Sequence, residues 1–175
     1  MKERIKYREA IHFYEQMKVH KKDQDTFKHN LSAFLTSSRT VFQYALKESH
    51  HSLQGKIWYD RNVSSSPIIR FLKDKRDDNI HTEPVDPQSI LSLTFNLNIK
   101  TGVTFTKIDK DGKVVSQPLI EKSPELKPQN RSSSDVIYRF KEWTGPEDII
   151  TLCGLYLVEI DGFISDGVAK NFISG

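Results

Sequence analysis

Apolar side chains recur at every third or fourth position between residues 24 and 50. The residues of this stripe are Phe27, Leu31, Phe34, Leu35, Ser38, Val41, Phe42 and Ala45. An α-helix has about 3.6 residues per turn, so this spacing places them on one face of a long helix. Such a helix is stable only when its apolar face packs against other elements. The stretch therefore predicts a fold organised around one long, buried helix face.

Three further helices are predicted around the long one. Residues 4–20 carry a second apolar stripe, and the short polar turn after them predicts an antiparallel helical hairpin. Serines precede Pro67, which suits the first position of a helix, and this helix is predicted to end near His81, ahead of two prolines. The last helix is predicted over residues 146–173, where proline and acidic residues precede an apolar stripe.

The period of the apolar pattern changes from helical to two after the third helix. Leucine, phenylalanine and isoleucine alternate with polar residues over 91–99, which predicts a half-buried strand. Further strands are predicted at 103–108, 113–116 and 136–143, and the proline-rich and serine-rich residues 117–134 are predicted to form a surface loop. Together these segments predict a small antiparallel sheet.

The predicted fold is mainly α, in the α+β class. It is an antiparallel four-helix up-and-down bundle with a small antiparallel β meander inserted between helices 3 and 4. The 175 residues suit a single domain. Residues 1–85 would supply helices 1–3, residues 88–143 the β-sheet insertion and residues 146–173 helix 4. The connection through Gly55 is expected to be a loop.

Charge is distributed unevenly along the chain. Residues 1–85 contain 16 Lys and Arg against 11 Asp and Glu, whereas residues 86–175 contain 10 against 12. All six histidines also lie in the first part. This asymmetry is compatible with a polyanionic partner for the first part of the chain.

Several classes of protein and site have no signature in the sequence. One cysteine, Cys153, excludes an internal disulfide, and it lies in a helical stripe where a buried hydrophobe is expected. No apolar run approaches the ~20 residues of a membrane span, so we expect a cytoplasmic protein without membrane contact. The pair His50 and His51 lacks the further ligands of a zinc site, and there is no glycine-rich phosphate loop. No metal and no cofactor is therefore predicted.

The end of the third predicted helix carries side chains of the catalytic type. Arg76, Asp77 and His81 lie close together in sequence, and Asp77 is four residues before His81, a spacing at which it can orient the imidazole. Five residues of ideal helix separate Arg76 from His81 by about 140° around the axis. The two side chains can therefore act together only if the helix unwinds or a second copy supplies one of them. Metal: none.

The segment Arg76-Asp77-Asp78-Asn79-Ile80-His81 resembles the Arg-polar-x3-His motif of HEPN domains, which are all-helical bundles of four or five helices. The long helix around residues 30–39 also looks like the second helix of bacterial members of that group. The resemblance covers residues 5–85 and 146–173, and the sheet lies outside it. The chain thus resembles a HEPN domain with a β insertion.

Many HEPN proteins are metal-independent ribonucleases, often toxins of toxin–antitoxin or defence systems. Cleaving RNA without a metal requires a base, an acid and positive charge on the phosphorane. The resemblance implies that His81 acts as base or acid, that Arg76 clamps the phosphate and that Asp77 orients His81. Since one histidine per chain is too few, a homodimer that brings two Arg76–His81 sets to one cleft is implied. The implied partners are RNA, a second copy and an antitoxin or other protein.

A second hypothesis stays open at this point. Arg76 can pair with aspartates and His81 can be a polar junction residue, in a non-catalytic dimeric bundle that binds a nucleotide or a protein partner. Lys73, Lys75 and Asn79 surround the motif on the same helix and are the candidate binding residues under either hypothesis.

Overall fold

The computed structural model of the protein describes residues 1–81, 86–94 and 133–175. Within them the chain forms five helices and a two-stranded antiparallel sheet. In chain order the elements are α1 (Lys2–Val19), α2 (Gln24–Ser49), α3 (Leu53–Ser65), α4 (Pro67–His81), β1 (Gln88–Thr94), β2 (Ser133–Arg139) and α5 (Ile149–Ala169). The predicted class, mainly helical with a small sheet, is confirmed. The described residues hold one helix more than predicted.

The chain divides into two units. The first comprises Met1–Ser92 and Asp135–Gly175 and contains all five of these helices. The second comprises Leu93–Ser134. The strands predicted within 103–116, residues 95–99 of the first predicted strand and residues 117–132 of the predicted loop lie outside the described residues. Ser133 and Ser134, which were predicted to end that loop, instead begin β2.

Helix α2 supplies the centre of the core. All eight residues of its predicted stripe are buried, including Ser38, which confirms the helical spacing. The side chain of Asp23 caps the start of α2 by accepting a hydrogen bond from the Thr26 amide at 3.1 Å. Helix α1 precedes α2, is joined to it by a short turn, and packs along both α2 and α5, with Ala10 and Met17 fully buried.

An aromatic cluster joins α2 and α3 to α5. The ring of Phe42 lies 6.1 Å from that of Tyr156 in a stacked arrangement and 4.9 Å from that of Phe163. Trp58 also stacks on Phe163, with ring centroids 4.7 Å apart. Because aromatic side chains bury large apolar areas, this cluster is a principal source of the attachment between the three helices.

Helix α3 occupies a region where a loop through Gly55 was predicted, and that prediction is wrong. Ser52 caps the helix by accepting a hydrogen bond from the Gly55 amide at 3.0 Å. A β-carbon at Gly55 would stand closer than 3.0 Å to the carbonyl oxygen of Ser49, so glycine permits a close approach of the two helix ends. Trp58 holds α3 to α5, because its indole N–H donates to Asp166 at 2.6 Å. Gly55 is therefore needed for the close packing between the start of α3 and the end of α2.

Strand β2 lies against the helices through its alternate residues. Tyr138 is buried and stacks on Phe27 of α2, with ring centroids 3.9 Å apart. Phe140 is also buried and packs edge-on against Phe71 of α4. Tyr138 and Phe140, the latter one residue past the end of β2, thus hold this segment against α2 and α4. The strand ends at Arg139, earlier than the predicted 136–143, since the chain turns at residues 141–142.

Helix α5 begins three residues later and ends four residues earlier than the predicted 146–173. Its N-cap is Asp148, whose carboxylate accepts a hydrogen bond from the Thr151 amide at 2.7 Å. At the other end the helix stops at Ala169, and Asn171 adopts a left-handed backbone with φ of 57°. The local cap at Asp148, rather than the first proline, thus determines where the helix starts.

Replacing Asp148 with alanine should lower the free energy of unfolding by about 1 kcal/mol, because the first turn of α5 loses its side-chain cap. The thermal midpoint should fall by ~2–4 °C in a chain of this size. Asp74→Ala is the matched control, since Asp74 is exposed inside α4 and caps no helix. An equal loss of stability in both variants would contradict the assigned cap.

Candidate functional site

Helix α4 presents the candidate catalytic residues, and its start is the predicted one. The hydroxyl oxygen of Ser66 accepts a hydrogen bond from the Ile69 amide at 3.0 Å, and Pro67 takes the first helical position. The same hydroxyl donates to the carboxylate of Glu159 on α5. Ile69 and Leu72 are buried, so one face of α4 is held against the core.

Arg76 is held by its own neighbour. Its guanidinium donates to the carboxylate of Asp77 at 3.0 Å, and its side chain is 18% exposed. The Nε–H group of Arg76 is buried and has no hydrogen-bond partner among the described residues. Asp77, predicted to orient His81, is therefore engaged with Arg76. The guanidinium keeps donor capacity that no described residue uses.

His81 is the last residue of α4. The helix runs without interruption to this position, so positions 76 and 81 lie about 140° apart around its axis. The side chain of His81 lies outside the described part of the structure. Of the two ways in which the pair can act together, unwinding before His81 is not observed, and a second copy is the one that stays open.

Two of the three candidate binding residues attach α4 to its neighbours. The side-chain amide of Asn79 donates to the hydroxyl of Ser32 on α2 at 2.7 Å. Lys75 pairs with Glu142 at 3.2 Å, its side chain is 15% exposed, and its ammonium lies 5.9 Å from the ring centre of Phe71. These contacts connect α4 with α2 and with the segment after β2.

Lys73, the third candidate, lines a cleft formed by α2, α3 and α4. The volume of the cleft is about 520 Å³. Its cations are Arg39 from α2, Arg61 from α3, and Arg70 and Lys73 from α4, with Asp60 as the one acidic side chain among its described lining residues. We call this set the basic cleft.

The basic cleft was not predicted, apart from Lys73. Arg70 and Lys73 are three residues apart, a spacing that places them on neighbouring positions of one helix. That signal was available in the sequence. Arg39 and Arg61 join them only because α3 packs beside α2 and α4, and α3 had been predicted as a loop.

The floor of the basic cleft includes Tyr59, which is buried. Burial raises the pKa of the Tyr59 hydroxyl, and the neighbouring Arg39 guanidinium opposes part of that rise. The phenol is therefore neutral at physiological pH and can both donate and accept a hydrogen bond.

Cys153 lies in the core, as predicted. Its side chain is fully buried, and burial raises the pKa of the thiol far above its ordinary value. A thiol held neutral in this way is a poor nucleophile. Among the described residues there is also no group of three His, Cys, Asp or Glu side chains placed to hold a metal ion.

Comparison with known proteins adds no assignment to this geometry. No protein-family model, no curated protein and no solved structure matches the chain. In the part of the chain that the structure describes, no helix combines the length and the apolar character that crossing a bilayer needs. The chemistry of the side chains is therefore what bears on function.

Proposed function

We propose that the protein is a metal-independent ribonuclease of the HEPN type that acts as a homodimer. The observation that carries the proposal is the motif itself, Arg76 and His81 on one uninterrupted helix, next to a long helix with the predicted apolar stripe. The four-helix bundle arrangement and the HEPN assignment belong to the same proposal. A toxin or defence role with a protein antitoxin follows from the assignment.

The state of Arg76 supports a second participant at this site. A buried donor without a partner costs about 1–3 kcal/mol, and the Nε–H of Arg76 is such a donor among the described residues. An RNA phosphate or a group from the second subunit would satisfy this donor once the side chain turns toward it, because Nε has no access to solvent in the single chain. In the ribonuclease the phosphate would take over from Asp77 as the acceptor of the guanidinium, in a bidentate geometry.

Two subunits are needed to complete the chemistry. Positions 76 and 81 diverge around the helix axis, so one chain alone does not bring both side chains to one phosphodiester. In a two-fold dimer each subunit contributes one Arg76 and one His81 to a shared cleft. One imidazole then takes the proton of the 2′-OH and the other protonates the leaving 5′-oxygen, which leaves a 2′,3′-cyclic phosphate end.

The second candidate function is a non-catalytic bundle that binds a nucleotide. The ion pair between Arg76 and Asp77 favours it, because a guanidinium already bound to a carboxylate has a structural role without any substrate. The basic cleft favours it as well, since it lies beside α4 and needs no second subunit.

RNA cleavage in the presence of EDTA separates the two candidates. The wild-type protein should cut mixed-sequence RNA and leave 2′,3′-cyclic phosphate ends, and Arg76→Ala or His81→Ala should lower the rate by ~100-fold or more. His51→Ala is the control, because His51 is an exposed residue beyond the end of α2. The specific activity should also fall on dilution as the dimer dissociates.

Intact RNA in the wild-type reaction would contradict the ribonuclease and leave the nucleotide-binding function as the better account. Full activity in His81→Ala would contradict the role of the imidazole. Growth arrest on expression, relieved by the adjacent reading frame, would support the toxin role.

A further inference from the structure

We infer that the basic cleft binds the phosphate groups of a nucleotide-sized ligand. The cleft holds four cationic side chains, Arg39, Arg61, Arg70 and Lys73, and one described carboxylate, that of Asp60. Its volume of about 520 Å³ lies within the range of ligand sites, about 300–1,000 Å³. This inference does not depend on the proposed ribonuclease, because it uses neither Arg76 nor His81.

The four cations have no acidic partner among the described residues. Eight other Lys and Arg side chains of the described chain pair with a carboxylate, for example Lys28 with Asp86 and Lys170 with Asp166. Arg39, Arg61, Arg70 and Lys73 form no such pair with any described residue, although Asp60 lines the same cleft. Like charges that converge without counter-charges repel one another, so an anion in the cleft would be attracted by all four.

Arg39 is the most restricted of the four. It is half-buried in the middle of α2, and its Nε–H is buried without a hydrogen-bond partner among the described residues. A solvated surface arginine would satisfy this donor with water, whereas here the guanidinium is fixed beside the buried Tyr59. The buried Nε–H itself is not accessible from the cleft, but a guanidinium that is held in place at the wall of a cleft is suited to binding phosphate oxygens.

The remaining lining residues suit a ligand larger than a phosphate ion. Leu46 and Val63 contribute apolar surface, and Ser64 contributes a hydroxyl at the end of α3. The exposed Arg61 and Arg70 lie on different helices, so a chain of two or three phosphates can contact several cations at once. A nucleoside or sugar moiety would contact the apolar surface. The same phosphate chemistry is offered by a free nucleotide and by the 5′ end of an RNA.

Titration calorimetry with adenosine, AMP, ADP, ATP and pyrophosphate tests the site on the full chain at constant ionic strength. Affinity should increase with the number of phosphates, and adenosine should not bind. Arg39→Gln should weaken ATP binding ~10-fold or more, because a charge-assisted hydrogen bond is lost. Arg8→Gln is the matched control: it removes the same charge from an exposed position on α1 and should leave ATP affinity unchanged.

Short RNAs with a 5′-phosphate or a 5′-hydroxyl identify the source of the phosphate. Tighter binding of the 5′-phosphorylated RNA than of ATP would assign the cleft to an RNA end, and the reverse order would assign it to a free nucleotide. Lys73→Gln should weaken either ligand and serves as the second variant if Arg39→Gln lowers the thermal midpoint.

Failure of every phosphate probe to bind would overturn the inference, as would an equal loss of affinity in Arg8→Gln, which would indicate nonspecific attraction. The outcome is independent of RNA cleavage. A protein that leaves RNA intact but binds ATP through Arg39 would support the cleft and contradict the ribonuclease, and cleavage without phosphate binding would do the opposite.

Discussion

Replacing Phe42 with alanine should lower the free energy of unfolding by about 3–5 kcal/mol, the largest effect that we expect from a single substitution in this protein. Phe42 is 2% exposed and lies where α2 meets α5. Its ring contacts Tyr156 and Phe163 at centroid distances of 6.1 and 4.9 Å. The substitution removes apolar burial and two aromatic contacts and leaves a cavity between the helices.

Urea denaturation followed by far-ultraviolet circular dichroism measures the effect, which should appear as a lower midpoint with an unchanged slope. Leu53→Ala is the control. Leu53 is 71% exposed at the start of α3, so its replacement should change stability by less than about 0.5 kcal/mol. A loss of less than about 1 kcal/mol in Phe42→Ala would show that the aromatic cluster is not a main element of the core.

The sequence predicted α2 well because its own period determines which face is buried. Each residue of the stripe from Phe27 to Ala45 is buried, and no partner needs to be known to see that face. The strand around Tyr138 was predicted as well, because the apolar pattern of a strand is likewise local. Element ends were predicted less well, since Asp148 rather than the preceding proline caps α5.

In the candidate site, too, features set by neighbouring residues were predicted, whereas features that depend on packing between helices were not. Local signals in the sequence predicted where α4 starts and ends, and with it the positions of Arg76 and His81. These signals are the cap at Ser66 and the two prolines, Pro84 and Pro87, that follow the helix in sequence. The ion pair of Arg76 with Asp77 is a contact between adjacent residues, and it was among the open alternatives. Local chemistry therefore accounts for most of what could be predicted about this helix.

The basic cleft depends on packing and could not be read in the same way. Arg39, Arg61 and Arg70 are widely separated in sequence, and they converge only when α3 lies beside α2 and α4. Helix α3 buries few of its residues, chiefly Trp58 and Tyr59, so it has no continuous apolar stripe to reveal it. A helix attached by two aromatic residues and one glycine gives a weak periodic signal.

The attachment of α3 can be tested at Gly55, where alanine should lower the free energy of unfolding by about 2–3 kcal/mol although alanine is the better helix former. The added β-carbon would stand closer than 3.0 Å to the Ser49 carbonyl oxygen, and that backbone atom cannot move aside without shifting the end of α2. Gly162→Ala is the matched control, because a β-carbon there meets nothing within 4 Å. That substitution, in the exposed interior of α5, should stabilise the protein by about 0.5–1 kcal/mol. The two substitutions should therefore shift the urea midpoint in opposite directions. Stabilisation by both would contradict the close packing at Gly55 and favour the loop that was predicted from the sequence.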